Sequence, residues 1–120
     1  MTFDIVPWRE IAGAFLADSD FGDARLIQIV ADLGDSEVIN SHTQLFRQAD
    51  VLFIDGPKDG LFETQLLAHL SRIGLRTGTL LVLDDIRQWN MLGTWRRIVQ
   101  PKLDITSFGH WSGTGLVEWQ

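Results

Sequence analysis

Two apolar segments that each run into carboxylates constrain the fold of this 120-residue chain more than any other feature. The segment Val51–Ile54 is followed directly by Asp55. The segment Leu80–Leu83 is followed by Asp84 and Asp85. Short segments that are apolar throughout are typical of central strands in a parallel sheet, because both faces of such strands are covered. A helical pattern lies between the two segments, so the sequence predicts a β-α-β unit.

That helical pattern is the clearest in the chain and covers Phe62–Gly74. Its apolar residues recur at helical spacing, and Gly74 is placed to end the helix. The other predicted elements are strands at Thr2–Val6 and Leu26–Asp32, helices at Trp8–Leu16, Asp35–Gln48 and Gln88–Val99, and a closing hairpin at 103–111 and 114–120. This order predicts a single α/β domain over residues 1–120, with a three-layer, doubly wound, mostly parallel sheet and an antiparallel C-terminal hairpin.

The composition excludes several classes of partner and site. The net charge is −6 and no basic run exists, so contact with a nucleic-acid backbone is not expected. Arg87, Arg96 and Arg97 are predicted to form a solvated helix face. The absence of cysteine excludes disulfides and cysteine-ligated zinc. No apolar stretch approaches the roughly 20 residues of a membrane span, and no signal-peptide pattern is present, so a cytoplasmic protein without a membrane partner is expected.

The acidic ends of the two central segments predict a shared site. Neighbouring parallel strands lie about 4.8 Å apart, and ligands of doubly wound sheets bind beyond the carboxyl ends of the strands. Asp55, Asp84 and Asp85 are therefore expected to converge, and carboxylate oxygens suit a hard divalent ion such as Mg²⁺. Lys58 follows three residues after Asp55 and is the candidate base that takes a proton from a hydroxyl group.

Other interpretations of these residues remain open at the level of sequence. An aspartate at the end of a strand often caps the next helix or forms an Asx-turn. The segment "LLVLDD" is also similar to a Walker B strand, but the chain contains no matching phosphate-binding G-x-x-x-x-G-K-[ST] loop. A response-regulator type of phosphoryl-transfer site would need the acids and the lysine on strands in a different order.

The segments "DVLFIDGPKDG" and "GTLLVLDDI" together resemble the second half of class I S-adenosylmethionine-dependent methyltransferases. Within that class, "FIDGPKD" is similar to a segment of the catechol and caffeoyl-coenzyme A O-methyltransferases. The resemblance implies that Asp55 binds Mg²⁺ and that Lys58 deprotonates the acceptor hydroxyl. It also implies that Asp84 and Asp85 bind the metal, although the family carries an Asp-Asn pair at this place.

The resemblance further implies which residues hold the cofactor, S-adenosylmethionine. Asp4, at the end of the first predicted strand, matches the acid that binds the ribose hydroxyls. Asp32, after the next strand, matches the acid that contacts the adenine amino group. Asp55 is assigned to the cofactor site as well as to the metal.

The Gly-rich turn with which this family binds the methionine part of the cofactor has no counterpart in the chain. The only local G-x-G, Gly113-Thr114-Gly115, lies in the predicted hairpin and is expected to serve as a turn. We therefore expect the C-terminal portion of the full fold, lacking the first strand and helix. Such a chain is a fragment of a longer protein, a homodimer in which a partner covers the incomplete sheet, or a degenerate copy.

Two functions follow from the resemblance. The first is a metal-assisted O-methyltransferase that acts on a small hydroxylated molecule, with this chain as a fragment that is inactive alone. The second is a non-catalytic binding or assembly module that keeps the fold without binding the cofactor.

Overall fold

A computed structural model describes residues 1–22, 24–109 and 111–120 of the chain. These residues form an α/β protein with four α-helices and two β-sheets. The elements are β1 (Thr2–Asp4), β2 (Gln28–Val30), α1 (Ser36–Ser41), α2 (Thr43–Gln48), β3 (Val51–Ile54), α3 (Leu61–Ile73), β4 (Leu80–Asp84), α4 (Trp89–Arg97), β5 (Lys102–Asp104) and β6 (Thr114–Glu118). Single 3₁₀ turns occur at Trp8–Glu10, Asp18–Phe21 and Thr106–Phe108. The predicted α/β class is confirmed, and the doubly wound topology stays a prediction.

The chain divides into two units, Met1–Ile39 and Asn40–Gln120. In the first unit, β1 and β2 form a parallel pair with Thr2 opposite Gln28. The Gln28 side chain accepts a hydrogen bond from the Trp8 backbone N–H at 2.8 Å and donates one to the Val6 carbonyl at 3.0 Å. This amide therefore ties the turn after β1 to β2. The prediction of a single domain stays a prediction.

The helix predicted over Trp8–Leu16 is wrong. Only the 3₁₀ turn Trp8–Glu10 forms, because Ile11 already has an extended backbone and Gly13 has a φ of 78°. Trp8 is half-buried and stacks on Phe21, with 5.1 Å between the ring centroids. The later apolar side chains of the stripe are exposed, with Phe15 at 103% of its reference area. A short helix gains most of its stability from packing its apolar face, and beyond Trp8 this stripe has little such packing.

The second unit contains a four-stranded mixed sheet in the order β3-β4-β6-β5. Strands β3 and β4 are parallel, and β6 is inserted antiparallel between β4 and β5. The predicted antiparallel C-terminal pair is thereby confirmed. One face of this sheet is buried and includes Ile54, Leu81, Leu83 and Val117. The buried apolar side chains of α3, which are Leu66, Leu70 and Ile73, belong to the same unit.

The opposite face of the same sheet is apolar and largely open. Val51 and Phe53 are 55% and 65% exposed, and Leu103 on β5 is 60% exposed. The register places Val51 beside Leu80 and Phe53 beside Val82, and both β4 residues are only half-buried. Strand β3 also lies at an edge of this sheet. The sheet therefore has one covered face, one open face and an edge strand that is rich in exposed apolar side chains.

Three further features differ from the prediction. The helix predicted over Asp35–Gln48 is divided into α1 and α2 at His42, whose φ and ψ are −108° and 16°. The Thr43 hydroxyl donates to the Asn40 carbonyl at 2.8 Å, a local bond that competes with the helical pattern. The strand predicted over 103–111 ends at Asp104, and His110 within it lies outside the described residues. The single predicted sheet is two sheets.

Candidate functional site

The candidate site lies where the parallel strands β3 and β4 end. Ile54 pairs with Leu83 in the last rung of the parallel ladder, so Asp55 and Asp84 occupy neighbouring positions at the same end of the sheet. Asp85 follows β4 directly. The loop from Asp55 to Gly60 then leads into α3 and carries Lys58. This placement is the one that the two apolar segments predicted.

The ammonium group of Lys58 brings the three aspartates together. It contacts Asp55 Oδ1 directly, lies 4.0 Å from Asp84 Oδ2 and lies 3.9 Å from Asp85 Oδ2. The Lys58 side chain is only 11% exposed, whereas that of Asp55 is 56% exposed. We call these four residues the acid–lysine cluster. Its carboxylates converge on one cationic atom, and Asp55 is the member that faces solvent most openly.

Counted by itself, the acid–lysine cluster has unequal formal charges. It contains three carboxylates and one ammonium group, and Asp84 and Asp85 also take part in other interactions. A surplus of negative charge at a partly desolvated strand end attracts cationic groups and repels anions. The site therefore suits a cationic ligand or an ion better than it suits a phosphate.

The backbone at this site adopts a conformation that most side chains avoid. Lys58 and Asp85 both have a φ of 59°, in the left-handed region. Such non-glycine residues cost free energy and persist only where surrounding contacts impose them, and they are frequent at functional sites. Both residues belong to the acid–lysine cluster, so the backbone supports a functional interpretation independently of the charges.

Glu63 fixes the loop that carries Lys58. Its side chain is 1% exposed. It accepts hydrogen bonds from the backbone N–H groups of Lys58 at 2.9 Å and of Gly60 at 3.2 Å. A Cβ added at Gly56 would lie 2.6 Å from the ring of Phe62 and 2.8 Å from Glu63 Oε1, so the loop requires glycine there. The position of Lys58 is thus imposed by a buried carboxylate that holds the loop from inside.

The capping alternative for Asp55 applies instead to Asp59. Asp59 Oδ1 accepts hydrogen bonds at 2.9 Å from the backbone N–H groups of Leu61 and Phe62, in the first turn of α3. The Asp55 side chain meets the Lys58 ammonium. Asp55 is therefore available for chemistry that a helix cap would not permit.

The fit of the cluster to a metal ion depends on Lys58. Carboxylate oxygens are the right donors for Mg²⁺, which requires metal–oxygen distances of about 2.0–2.1 Å. Across the described stretches of the chain, however, no group of three His, Cys, Asp or Glu side chains has the arrangement of a metal site. Asp84 and Asp85 lie around the lysine nitrogen at close to 4 Å. Asp55, Asp84 and Asp85 fit the ion by donor chemistry, in competition with the ammonium group.

The remaining predicted cofactor residues, Asp4 and Asp32, lie in the first unit at the carboxyl ends of β1 and β2. Asp4 is half-buried, and its Oδ1 accepts a hydrogen bond from the Val6 N–H at 2.9 Å. Asp32 is exposed, and its Oδ1 accepts one from the Gly34 N–H at 2.7 Å. Both carboxylates thus form local Asx-type turns. Their role toward a cofactor stays a prediction.

Glu63 is a residue that the sequence interpretation missed. The signal was present, because a glutamate three residues after a helix-starting position commonly bonds back to the backbone there. In this chain, Gly60 is that starting position and Glu63 is the third residue after it. From helical periodicity alone, a glutamate in such a helix is predicted to be exposed to solvent.

Comparisons with models of known protein families, with curated proteins and with solved structures found no match to this chain. Among the described residues, none of the helices has the length and apolar character needed to span a bilayer. The function therefore has to follow from the chemistry of the acid–lysine cluster.

Proposed function

We propose that this chain is a domain of an S-adenosylmethionine-dependent methyltransferase that methylates a hydroxyl group of a small molecule. The acid–lysine cluster is the observation that carries the proposal. It combines a cationic lysine with three carboxylates at the carboxyl ends of adjacent parallel strands, the region where doubly wound sheets bind ligands. The cofactor carries a positive sulfonium group, which suits the negative surplus of the cluster.

Lys58 prepares the acceptor in this proposal. Lys58 releases one proton to solvent before the acceptor binds, and the resulting amine takes the hydroxyl proton. Bound S-adenosylmethionine would supply the methyl group, which would pass to the acceptor oxygen as the carbon–sulfur bond breaks, with release of neutral S-adenosylhomocysteine. The contact between Lys58 and Asp55 orients the lysine side chain.

The resemblance that suggested this function also implies Mg²⁺, and we propose that Asp55, Asp84 and Asp85 would hold it. The bound ion would supply Lewis-acid activation of the acceptor hydroxyl. Because Lys58 competes for the same carboxylates, the Lys58→Met variant should bind Mg²⁺ more tightly than the wild type does. Isothermal titration with MgCl₂ measures this difference, and weaker or absent binding by the variant would reject the shared site.

The second candidate is a non-catalytic binding or assembly module, and the open sheet of the second unit favours it. Strand β3 is an edge strand, and Val51 and Phe53 on it are exposed. Exposed apolar edge strands pair readily with further strands. A second copy of the chain that covers this incomplete sheet is the partner we propose for that case.

Titration with S-adenosylhomocysteine separates the two candidates. The methyltransferase proposal predicts saturable binding to the wild type and weaker binding to Asp55→Asn, which loses the proposed cofactor contact. Asp50→Asn, in an exposed ion pair of the same unit, serves as a control of equal charge change. Binding that is absent in the wild type would reject the methyltransferase proposal for this chain and leave the assembly module. The cytoplasmic location stays a prediction under both.

A further inference from the structure

A second concave surface lies in the second unit, in the region of α3, α4 and the segment that follows α4. It is open to solvent and has a volume of about 220 Å³. It is lined by Thr64, Leu67, Ser71, Thr94, Arg97, Ile98, Val99, Gln100 and Trp119. No member of the acid–lysine cluster belongs to this lining. We call this surface the Arg97 groove.

Among the described residues that line the groove, Arg97 is the only one with a basic side chain. Its Nη2 donates to Thr64 Oγ1 at 3.1 Å and to Thr94 Oγ1 at 3.3 Å. Within residues 1–22, 24–109 and 111–120, Arg97 forms no ion pair with a carboxylate. A guanidinium group has five N–H donors, so these two hydroxyl contacts leave donors for an anion. Across the part of the chain that the structure describes, no carboxylate therefore neutralises the positive charge of Arg97.

The rest of the Arg97 groove is mainly apolar. Leu67, Ile98 and Trp119 are half-buried, and the aromatic ring of Trp119 offers a flat contact surface. An apolar cavity of roughly 150 Å³ accommodates a benzene molecule. The groove therefore has room for a ring or a short aliphatic chain together with one polar group.

We infer that the Arg97 groove binds a small amphiphilic carboxylate, with its carboxylate on the Arg97 guanidinium and its apolar body against Leu67 and Trp119. A guanidinium fork matches a carboxylate with two parallel hydrogen bonds, and such charge-assisted pairs are stronger than neutral ones. A single arginine with an apolar wall suits a carboxylate of this kind better than it suits a highly charged phosphate ester.

The Arg97 groove is connected to the loop that carries Lys58. The hydroxyl groups of Thr64 and Thr94, which accept from Arg97, both donate to the Gly60 carbonyl, at 2.6 and 3.3 Å. The Gly60 N–H in turn donates to Glu63, the carboxylate that holds the Lys58 N–H. An anion that draws Arg97 away from the two threonines therefore perturbs Gly60 first, and the acid–lysine cluster through it.

The test uses 3-phenylpropionate as the probe and 3-phenylpropanol as its neutral counterpart, each titrated into the full chain. Two-dimensional amide and indole NMR spectra report binding. The expected result is saturable binding of the acid with shifts of the Trp119 indole and Gly60 amide signals. The alcohol should bind at least about tenfold more weakly, since it lacks the charge that pairs with arginine.

Two variants that each remove one positive charge test whether Arg97 itself binds the carboxylate. Arg97→Gln should weaken 3-phenylpropionate binding at least about tenfold, whereas Arg96→Gln should leave it unchanged, because Arg96 is on the same helix turn but does not line the groove. Both spectra must show the folded chain. Equal weakening by the two variants, equal affinity for acid and alcohol, or no saturable binding would each overturn the proposal. None of these measurements depends on methyl transfer. A failure of the carboxylate-binding proposal can therefore be distinguished from a failure of the methyltransferase proposal.

Discussion

The two units of the chain differ in how much of their apolar surface they bury. In Asn40–Gln120 the sheet and α3 enclose fully buried residues such as Leu81, Leu83 and Leu70. In Met1–Ile39 the described residues leave Phe15 and Ile5 exposed, and Ile39 is the buried apolar side chain there. Both units contain parallel strands that end in aspartates. Only the second unit surrounds its strand-end carboxylates with a lysine and a buried glutamate.

This difference shows what turns a strand-end acid into a candidate site. Asp32 lies two residues after β2 and its carboxylate satisfies a local turn. Asp55 lies directly after β3 and meets a lysine whose loop is held by the buried Glu63. The second arrangement needs a packed helix behind the loop, which α3 provides. A site of this kind depends on a core, and the core lies in the second unit.

The largest expected effect concerns the removal of one apolar side chain from each unit. Leu81→Ala should lower the free energy of unfolding by about 2–5 kcal/mol, since Leu81 is completely buried in the central strand β4. Phe15→Ala should change it by less than about 0.5 kcal/mol, because Phe15 is already exposed. Urea denaturation of both variants measures the contrast. Similar losses in the two variants would show that the first unit has a core of its own.

The next largest effect on the free energy of unfolding is expected from the carboxylates that hold loops, Glu63 in the second unit and Asp32 in the first. Glu63→Gln replaces one acceptor oxygen by a donor that faces a backbone N–H, and should cost about 1–3 kcal/mol. Asp32→Asn keeps one acceptor in an exposed turn and should stay within about 0.5 kcal/mol. The same denaturation measurement applies. An unaffected Glu63→Gln variant would mean that the Lys58 loop is held by other contacts.

The smallest effect is a pH dependence in the second unit. The hydroxyl and backbone N–H of Thr106, and then the Arg87 guanidinium, hold the pKa of Asp104 below its ordinary value of 3.8. A lowered pKa in the folded state means that this carboxylate contributes stability above about pH 3.8, and that the contribution disappears as the pH falls through the folded-state pKa.

Asp104→Asn should therefore reduce the unfolding free energy at pH 7 by less than about 1 kcal/mol, since the group lies at the surface. The gap from the wild type should shrink below pH 3.8. Asp18→Asn, in an exposed ion pair with Arg9 of the first unit, is the matched control and should have little effect at pH 7. A gap for Asp104→Asn that widens on acidification would contradict the assignment.

The sequence predicted the second unit better than the first for a physical reason. The segments that form β3, α3 and β4 carry strong local signals. The two strands are continuous apolar runs, and α3 has an apolar stripe and ends at Gly74, whose φ is 71°. The convergence of Asp55 with Asp84 followed from the geometry of parallel strands. The stripe at Trp8–Leu16 was equally periodic, but periodicity forms a helix only where a surface exists to cover it.

The pairing of strands and the contacts of polar helix residues were harder to predict from the sequence. The division into two sheets depends on hydrogen bonds between distant segments, which no local pattern encodes. Arg97 was predicted to lie on a solvated face, and it is exposed, but it also lines a groove formed with Thr64 and Trp119. Arg87 pairs with Asp104, a partner 17 residues away in the chain.

The catalytic role of the acid–lysine cluster is tested most directly by methyl transfer from S-adenosylmethionine to a catechol, with Lys58→Met and Lys58→Arg compared with the wild type. The chain has only two lysines, so Lys102→Met, confirmed as folded, is a matched control outside the cluster. Both Lys58 variants should lose about 100-fold or more in turnover, because arginine keeps the charge but cannot release its proton. Lys102→Met should stay close to the wild type. No transfer by the wild type, or full turnover by Lys58→Met, would contradict the assignment of the cluster as a methyltransferase site.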